Sequence, residues 1–197
     1  MDLLSGVLSA FGLSASAGLN AYVPLLIVSL VGRYTDWIDL AEPWDAMTSG
    51  WVIGALVVLA LVEFFADKVP AINHFNDLIQ TIIRPAAGAI LFAANSAVVS
   101  QIHPALAIVA GLLLAGGVHA AKSAAIRPVV TATTGGAGNV PVSIAEDILA
   151  TVLSIVAVVL PIVIAALIIL ITALIIWLMW RRARADQRPD GPIPNRR

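Results

Sequence analysis

The residues of this sequence that could do chemistry are a small set of charged and amide side chains, set within or beside long apolar segments. They are Asn20, Tyr22, Glu63, Asp67, Lys68, Asp77, Arg84, Lys122, Arg127, Asn139, Glu146 and Asp147. An ionisable group in apolar surroundings is costly, so one that is retained usually has a charged partner or faces a polar cavity. We therefore treat these twelve positions as candidate binding residues.

The acidic candidates fall on two helical faces. Glu63 and Asp67 are four positions apart, and Asp77, Gln80 and Arg84 follow at steps of three and four. Residues at these spacings are neighbours on one side of a helix. Carboxylates grouped in this way predict a site for a cation or a proton. For Glu63 the alternative is a structural role, in which Lys68 or water neutralises its carboxylate.

The basic candidates Lys122 and Arg127 precede a run of hydroxyls and glycines over 131–139. Backbone amides freed by glycine beside two cations can hold an anion, and the same cations could serve as internal counter-ions. The run lacks the terminal Gly-Lys-Ser/Thr of a nucleotide-binding phosphate loop. Ser143 and Glu146 fit a capping box at the start of the next helix, which would give Glu146 a structural role.

The composition argues against a soluble fold. Of 197 residues, 60% are hydrophobic and 12% are charged, whereas a soluble domain has roughly 25% charged residues. Four stretches contain no Asp, Glu, Lys or Arg, namely 3–32, 46–62, 85–121 and 148–180. Each is near or above the roughly 20 apolar residues that cross a bilayer. The sequence therefore predicts an all-α, polytopic transmembrane helical bundle, one domain over 1–180 with a basic tail over 181–197.

Six crossings are predicted. The first four are placed at about 3–31, 50–66, 86–100 and 105–121. Residues 67–84 between the second and third are predicted to be an inner loop with a short amphipathic helix. That helix would be either interfacial or re-entrant, and a re-entrant helix would line a water-filled cavity.

The last apolar segment, 142–180, has no polar turn and as one helix would measure about 58 Å at 1.5 Å per residue. We favour two short helices that break near Pro161, with both termini inside; the alternative is five crossings with one long kinked helix. The tail carries six Arg against two Asp. The positive-inside rule therefore places it in the cytoplasm, where it would contact anionic lipid headgroups, and the acidic loop 33–49 outside.

Polar residues interrupt the first predicted crossing. Asn20 and Tyr22 lie near its middle, and Pro24 breaks its hydrogen-bond ladder. Interhelical hydrogen bonds would explain both residues, but transporters also expose backbone to an ion or substrate at such interrupted helices. The sequence has no cysteine, and its three histidines have no partner at metal-ligand spacing. We therefore expect no metal. The leading interpretation also includes no cofactor and no catalytic residue.

Two patterns concern assembly. Small residues recur at four-residue steps along one face of the first crossing and would let another helix approach closely: Gly6, Ala10, Ser14 and Gly18. This face is also compatible with a homo-oligomer. A partial echo between 69–79 and 140–149 indicates a weak internal duplication, as small transporters often have.

Several runs carry a resemblance to a known family. They are SAGLNAYVPLL over 16–26, EFFADKVP over 63–70 and NVPVSIAED over 139–147, with Asp77, Arg84-Pro85, His119, Lys122 and Arg127. In these residues the chain resembles a bacterial membrane family catalogued as domain of unknown function 4126. The resemblance covers nearly the whole chain except the arginine tail. It implies one recurring multi-span domain and supplies no reaction or substrate.

Three functions are consistent with these features. The leading one is a small bacterial inner-membrane transporter or channel-like permease for a small solute or ion. The second is an intramembrane enzyme acting on a lipid or phospho-substrate, with Asp77 or Glu146 as base, although no nucleophile motif supports it. The third is a noncatalytic membrane scaffold in which the buried ions only pair with one another. Nucleic-acid binding is not expected, because the basic tail is short and has no aromatic residue.

Overall fold

The computed structural model describes residues 3–68, 70–159 and 161–186, and these contain helices and turns without a named strand. The helices are α1 Leu3–Leu19, α2 Tyr22–Tyr34, α3 Gly50–Ala66, α4 Pro70–Ala93, α5 Ser96–Val99, α6 Pro104–Ala121, α7 Arg127–Thr134, α8 Asn139–Val159 and α9 Pro161–Asp186. A 3-10 turn, Trp44–Thr48, precedes α3, and a π-helical turn, Lys122–Ile126, joins α6 to α7. The all-α prediction is confirmed.

The first predicted crossing consists of two helices, because the chain breaks between Leu19 and Tyr22. The side-chain oxygen of Asn20 accepts hydrogen bonds from the amides of Tyr22 (3.1 Å) and Val23 (2.9 Å). This is what a capping residue does at a helix start. Pro24 follows in the first turn of α2, where a missing N–H costs no helical hydrogen bond. Local sequence therefore accounts for the break.

The predicted short inner helix and the third crossing are one helix. α4 runs without interruption from Pro70 to Ala93 and contains Pro85. The prediction of a separate interfacial or re-entrant helix is therefore wrong. Its basis was the polar character of residues 67–84, but Gln80 and Arg84 are buried inside the bundle. These polar residues lie in the interior of the bundle and are part of a helix, not of a loop.

The fourth predicted crossing also extends further than expected. Helical structure continues from Pro104 through the π turn to Thr134. The predicted loop over 131–139 is thereby reduced to residues 135–138. Gly135 and Gly136 turn the chain with φ of 62° and 92°, values that glycine adopts without steric cost.

The predicted break of the last apolar segment near Pro161 falls on a residue that the structure does not describe. α8 ends at Val159 and α9 begins at Pro161, while Leu160 lies outside the described residues. By its internal contacts the chain forms two units, Met1–Ala165 and Ala166–Arg197. The number of crossings that this segment makes stays a prediction.

The small-residue face of α1 packs inside the first unit. A Cβ on Gly18 would lie 2.6 Å from the carbonyl oxygen of Ala115 in α6. The Ser14 hydroxyl donates to the carbonyl of Gly88 in α4 over 2.8 Å, and Ala10 is buried in the hydrophobic core. The prediction that this face allows close helix contact is confirmed.

Polar and apolar side chains are distributed in reverse of a soluble domain, which keeps its charges outside. The largest fully buried side chains include Arg84, Lys122, Gln80 and Glu63. By contrast Trp51 is 92% exposed and Ile82 76% exposed. In the described part of the chain, two helical stretches are long and apolar enough to cross a membrane, Pro104–Thr134 and Asn139–Val159.

Substitution at the contact between α4 and α6 should destabilise the bundle. A Cβ on Gly111 would overlap the backbone of Gly88, so we expect G111A to lower the free energy of unfolding by about 1–3 kcal/mol. Gly117, in the same helix, has open space around its Cβ position. The control G117A should raise that free energy by up to about 1 kcal/mol. Reversible unfolding in mixed micelles, followed by circular dichroism, measures both, and equal effects would contradict the packing.

Candidate functional site

Nine charged side chains come together beside the α1–α2 break, six of them buried and three of them partly exposed. We call them the ion-pair cluster: Glu63, Asp67, Lys68, Asp77, Arg84, Lys122, Arg127, Glu146 and Asp147. All nine are predicted site residues, and they come from α3 and the turn after it, α4, the π turn, α7 and α8. Residues that are far apart in the sequence therefore form one site.

Arg84 links the two carboxylates at the end of α3. Its Nη2 lies 3.0 Å from Oε1 of Glu63 and 3.7 Å from Oδ2 of Asp67. All three side chains are buried, Arg84 at 0% exposure. The interpretation that Lys68 neutralises Glu63 is therefore wrong, whereas a contact between Glu63 and water stays a prediction. Lys68 instead pairs with Asp147 at 2.9 Å.

Arg127 joins carboxylates from three elements. Its Nη1 lies 2.8 Å from Oδ2 of Asp77, and its Nη2 lies 3.6 Å from Oδ2 of Asp67 and 3.4 Å from Oε2 of Glu146. Lys122 reaches the same Glu146 oxygen at 2.7 Å. The two cations thus act as internal counter-ions, one of their two predicted roles, and their ionic partners are carboxylates.

The π turn explains how Lys122 and Arg127 meet at one carboxylate. Residues five positions apart lie roughly 140° apart around an α-helix. Here the amide of Arg127 donates to the carbonyl of Lys122, the i→i+5 bond of a π turn, which brings the two residues to the same side. Turns of this kind occur frequently at functional sites.

The predicted capping box does not form, because α8 begins at Asn139, four residues before Ser143. Ser143 is buried and donates to Oδ2 of Asp67 over 3.4 Å. Glu146 is an ion-pair partner and does not cap a helix. α8 instead begins shortly after the glycine turn, so Ser143 lies inside the helix and not at its start.

The ion-pair cluster also satisfies the backbone at the helix break. The carbonyl of Leu19 accepts a hydrogen bond from Nζ of Lys122 (3.2 Å), and the amide of Ala21 donates to Oε1 of Glu63 (3.4 Å). A helix carries partial negative charge at its carboxyl end and partial positive charge at its amino end. A cation at the end of α1 and a carboxylate at the start of α2 therefore match both dipoles.

Asn20 connects the break to the edge of the cluster. Its Nδ2 donates to Oδ1 of Asp147 over 3.0 Å while its oxygen caps α2. Tyr22 joins this arrangement through its amide. Asn139 lies elsewhere, since its side chain contacts the hydroxyl of Thr131 in α7. The structure thus brings Asn20 to the site but not Asn139.

The cluster holds five carboxylates and four cations, so it carries one excess negative charge when all are ionised and His119 is neutral. Three buried carboxylate oxygens have no hydrogen-bond partner in the described part of the chain: Oε2 of Glu63, Oδ1 of Asp77 and Oε1 of Glu146. A buried, unpaired carboxylate oxygen is costly. These three oxygens are the unsatisfied polar atoms of the ion-pair cluster.

Sequence reasoning missed several polar neighbours. Asn76 donates to Oδ1 of Asp67 over 2.7 Å. His119 lies between Nη1 of Arg84 (3.3 Å) and the hydroxyl of Thr81 (3.2 Å). A signal existed for His119, because it precedes a candidate lysine by three residues on the same helix. None existed for Asn76, whose role depends on the turn between α3 and α4.

Comparison with known families agrees with the resemblance in the sequence. The family model described as Domain of unknown function (DUF4126) matches residues 7–181. The chain belongs to the DUF4126 family. The match includes every residue of the ion-pair cluster. No curated protein and no solved structure matches this DUF4126 chain.

A double-mutant cycle tests the pairing of Lys122 with Glu146 in the ion-pair cluster. K122M and E146Q should each lower the free energy of unfolding by about 3 kcal/mol, because each leaves a buried charge with fewer partners. The double variant should lose about 0.5–3 kcal/mol less than the sum. The matched control E42Q, at an exposed carboxylate, should change stability by less than about 0.5 kcal/mol. Urea titration in mixed micelles measures all four, and strict additivity would contradict a direct pair.

Proposed function

We propose that this protein is a small membrane permease that moves a small solute or ion across the bacterial inner membrane and uses the ion-pair cluster to bind a proton. Its inverted distribution of side chains supports membrane embedding. Large apolar side chains such as Trp51, Phe65 and Ile82 are exposed, while six charged side chains of the ion-pair cluster are buried. An exposed apolar surface of this kind suits lipid better than water.

We propose six crossings with both termini in the cytoplasm. The arginines of the tail would then contact anionic headgroups of the inner leaflet. The acidic loop between α2 and α3 and the hairpin before α6 would lie outside. The glycine turn before α8 would lie inside.

The observation that carries the proposal is the broken helix whose two ends are held by buried ionic side chains. Discontinuous helices near the bilayer midplane are where many transporters bind ions, since the free helix ends supply partial charges and unpaired backbone groups. Here Lys122 and Glu63 occupy the two ends at Leu19 and Ala21. These contacts must change whenever the break opens.

A proton is the ion that this cluster suits best. The excess negative charge and the unpartnered oxygens favour uptake of one positive charge at a buried site. In the described residues no group of three or more His, Asp or Glu has the geometry of a metal site. A proton on Glu63 would weaken its contacts with Arg84 and the Ala21 amide, and would so release the start of α2.

The scaffold function is the second candidate, and one observation favours it. Each cation of the cluster has at least one carboxylate partner within 4.0 Å, as expected if the charges only hold helices together. Proton flux separates the two functions, because a scaffold moves none. The enzyme hypothesis has no comparable support, since Asp77 and Glu146 are already paired with Arg127.

Cysteine accessibility tests the proposed topology, and the chain has no native cysteine. A membrane-impermeant maleimide added to intact cells should label D36C and Q101C, which lie in the proposed outer loops. It should label A137C, in the glycine turn, only after the cells are permeabilised. Labelling of A137C in intact cells at the rate of D36C would contradict six crossings with this orientation.

Proton flux tests the proposed function. Purified protein in vesicles that contain a pH-sensitive dye should dissipate an imposed pH gradient faster than empty vesicles. E63Q/D67N should return the rate to that of empty vesicles, because neither side chain can then carry a proton. The matched double variant E42Q/D45N changes two exposed carboxylates and should keep the wild-type rate.

Two results would count against the permease. Unchanged flux in E63Q/D67N would remove the cluster from the pathway. Absence of flux in wild-type vesicles, with the protein shown to be folded by circular dichroism, would favour the scaffold.

A further inference from the structure

Lys68 fills a cage that is built for an ammonium group. Its Nζ lies 2.9 Å from Oδ2 of Asp147, 3.0 Å from the carbonyl oxygen of Phe64 and 3.4 Å from the centroid of the Phe64 ring. A carboxylate, a carbonyl and an aromatic face are groups with which proteins bind ammonium ions. Asn20 donates to the other oxygen of Asp147 and fixes the orientation of the carboxylate.

An open apolar groove adjoins this cage. It has a volume of about 460 Å³, within the usual range for small-molecule sites of about 300–1,000 Å³. Asn20, Phe64 and Asp147 belong to both the cage and the groove. Further along, the walls are apolar side chains of α2, α3 and α8, among them Leu26, Val57, Leu61 and Val152.

We propose that this groove binds a small lipophilic amine, whose tail lies along the apolar walls and whose ammonium replaces that of Lys68 in the cage. The charge of the site selects a cation, because Asp147 is the charged residue among those that line the groove and its carboxylate already holds an ammonium group. Binding of the amine to this groove does not depend on the proposed permease function. Only the further step, that such an amine is the transported substrate, rests on that function.

Lys68 is able to leave the cage. Its side chain is 15% exposed and that of Asp147 is 14% exposed, so the cage lies at the edge of the buried cluster. A lysine ammonium is strongly hydrated and sits on a flexible stem, which allows it to exchange a protein partner for water. Lys68 is therefore a competitor tethered beside the site, and its removal should favour the ligand.

The two partners of this ion pair should then have opposite effects on binding. The probe is dansylcadaverine, a fluorescent lipophilic primary amine, titrated into purified protein in micelles with empty micelles as background. D147N should weaken binding by about tenfold, because the ammonium loses its charged partner. K68A should tighten it by about tenfold, because no tethered ammonium has to be displaced.

Matched controls separate charge from hydrophobic partition. The N-acetylated probe has the same tail without the charge, and it should bind wild-type protein at least about tenfold more weakly. A60F places an aromatic ring in the groove and should abolish binding, whereas V58F, on an exposed position of the same helix outside the groove, should not. Thermal unfolding of each variant shows whether it is folded.

Several results would overturn the inference. They are parallel effects of D147N and K68A in folded protein, equal binding of the acetylated probe, or unchanged binding in A60F. Displacement of the probe by phosphatidylethanolamine but not by phosphatidylcholine would assign the cage to a lipid headgroup, against our proposal. If wild-type protein does not bind the amine but its proton flux depends on Glu63 and Asp67, this inference is wrong and the proposed permease function is still supported.

Discussion

Six buried and three partly exposed charges can lie together in this apolar bundle only because each has a partner of opposite sign. Removing one ion from water costs several kcal/mol even after the protein relaxes, and good geometry with additional hydrogen bonds is needed to offset that cost. Asp67 meets this requirement with contacts from Arg84, Arg127, Asn76 and Ser143. The positions of α3, α4, α7 and α8 are thereby coupled, since each supplies at least one member of the cluster or its partners.

The broken helix and the cluster depend on each other. An interrupted helix leaves carbonyls and amides without helical partners, which is tolerated in apolar surroundings only where other groups satisfy them. Lys122 and Glu63 do so at the break. In return, the partial charges of the two helix ends help to stabilise the buried lysine and glutamate. A change in the charge of either residue would therefore alter its hydrogen bond to the backbone at the break. In the proposed permease, the break between α1 and α2 is the segment that would change conformation.

The sequence predicted which residues form the candidate site, but it did not predict which of them form ion pairs with one another. Glu63 and Arg84 are recognisable because charged residues are rare in apolar segments. Their contact joins residues of two helices and follows from how α3 and α4 pack. The same holds for Lys68, which local reasoning pairs with Glu63 and which in fact holds Asp147. The π turn at Lys122 has no signal in composition, yet it decides which carboxylate the two cations share.

The sequence by itself determined the helical class, an interruption of the first crossing and the identity of the buried charges. These depend on local effects: apolar length, capping, proline geometry and the cost of an ion in apolar surroundings. Only the tertiary structure decided that α4 continues through Pro85, that α8 starts at Asn139 and that Arg84 and Arg127 share Asp67. Those outcomes depend on contacts between distant segments. A polar residue next to a proline indicates a loop if it faces water, but it can lie inside a helix if it faces a buried partner.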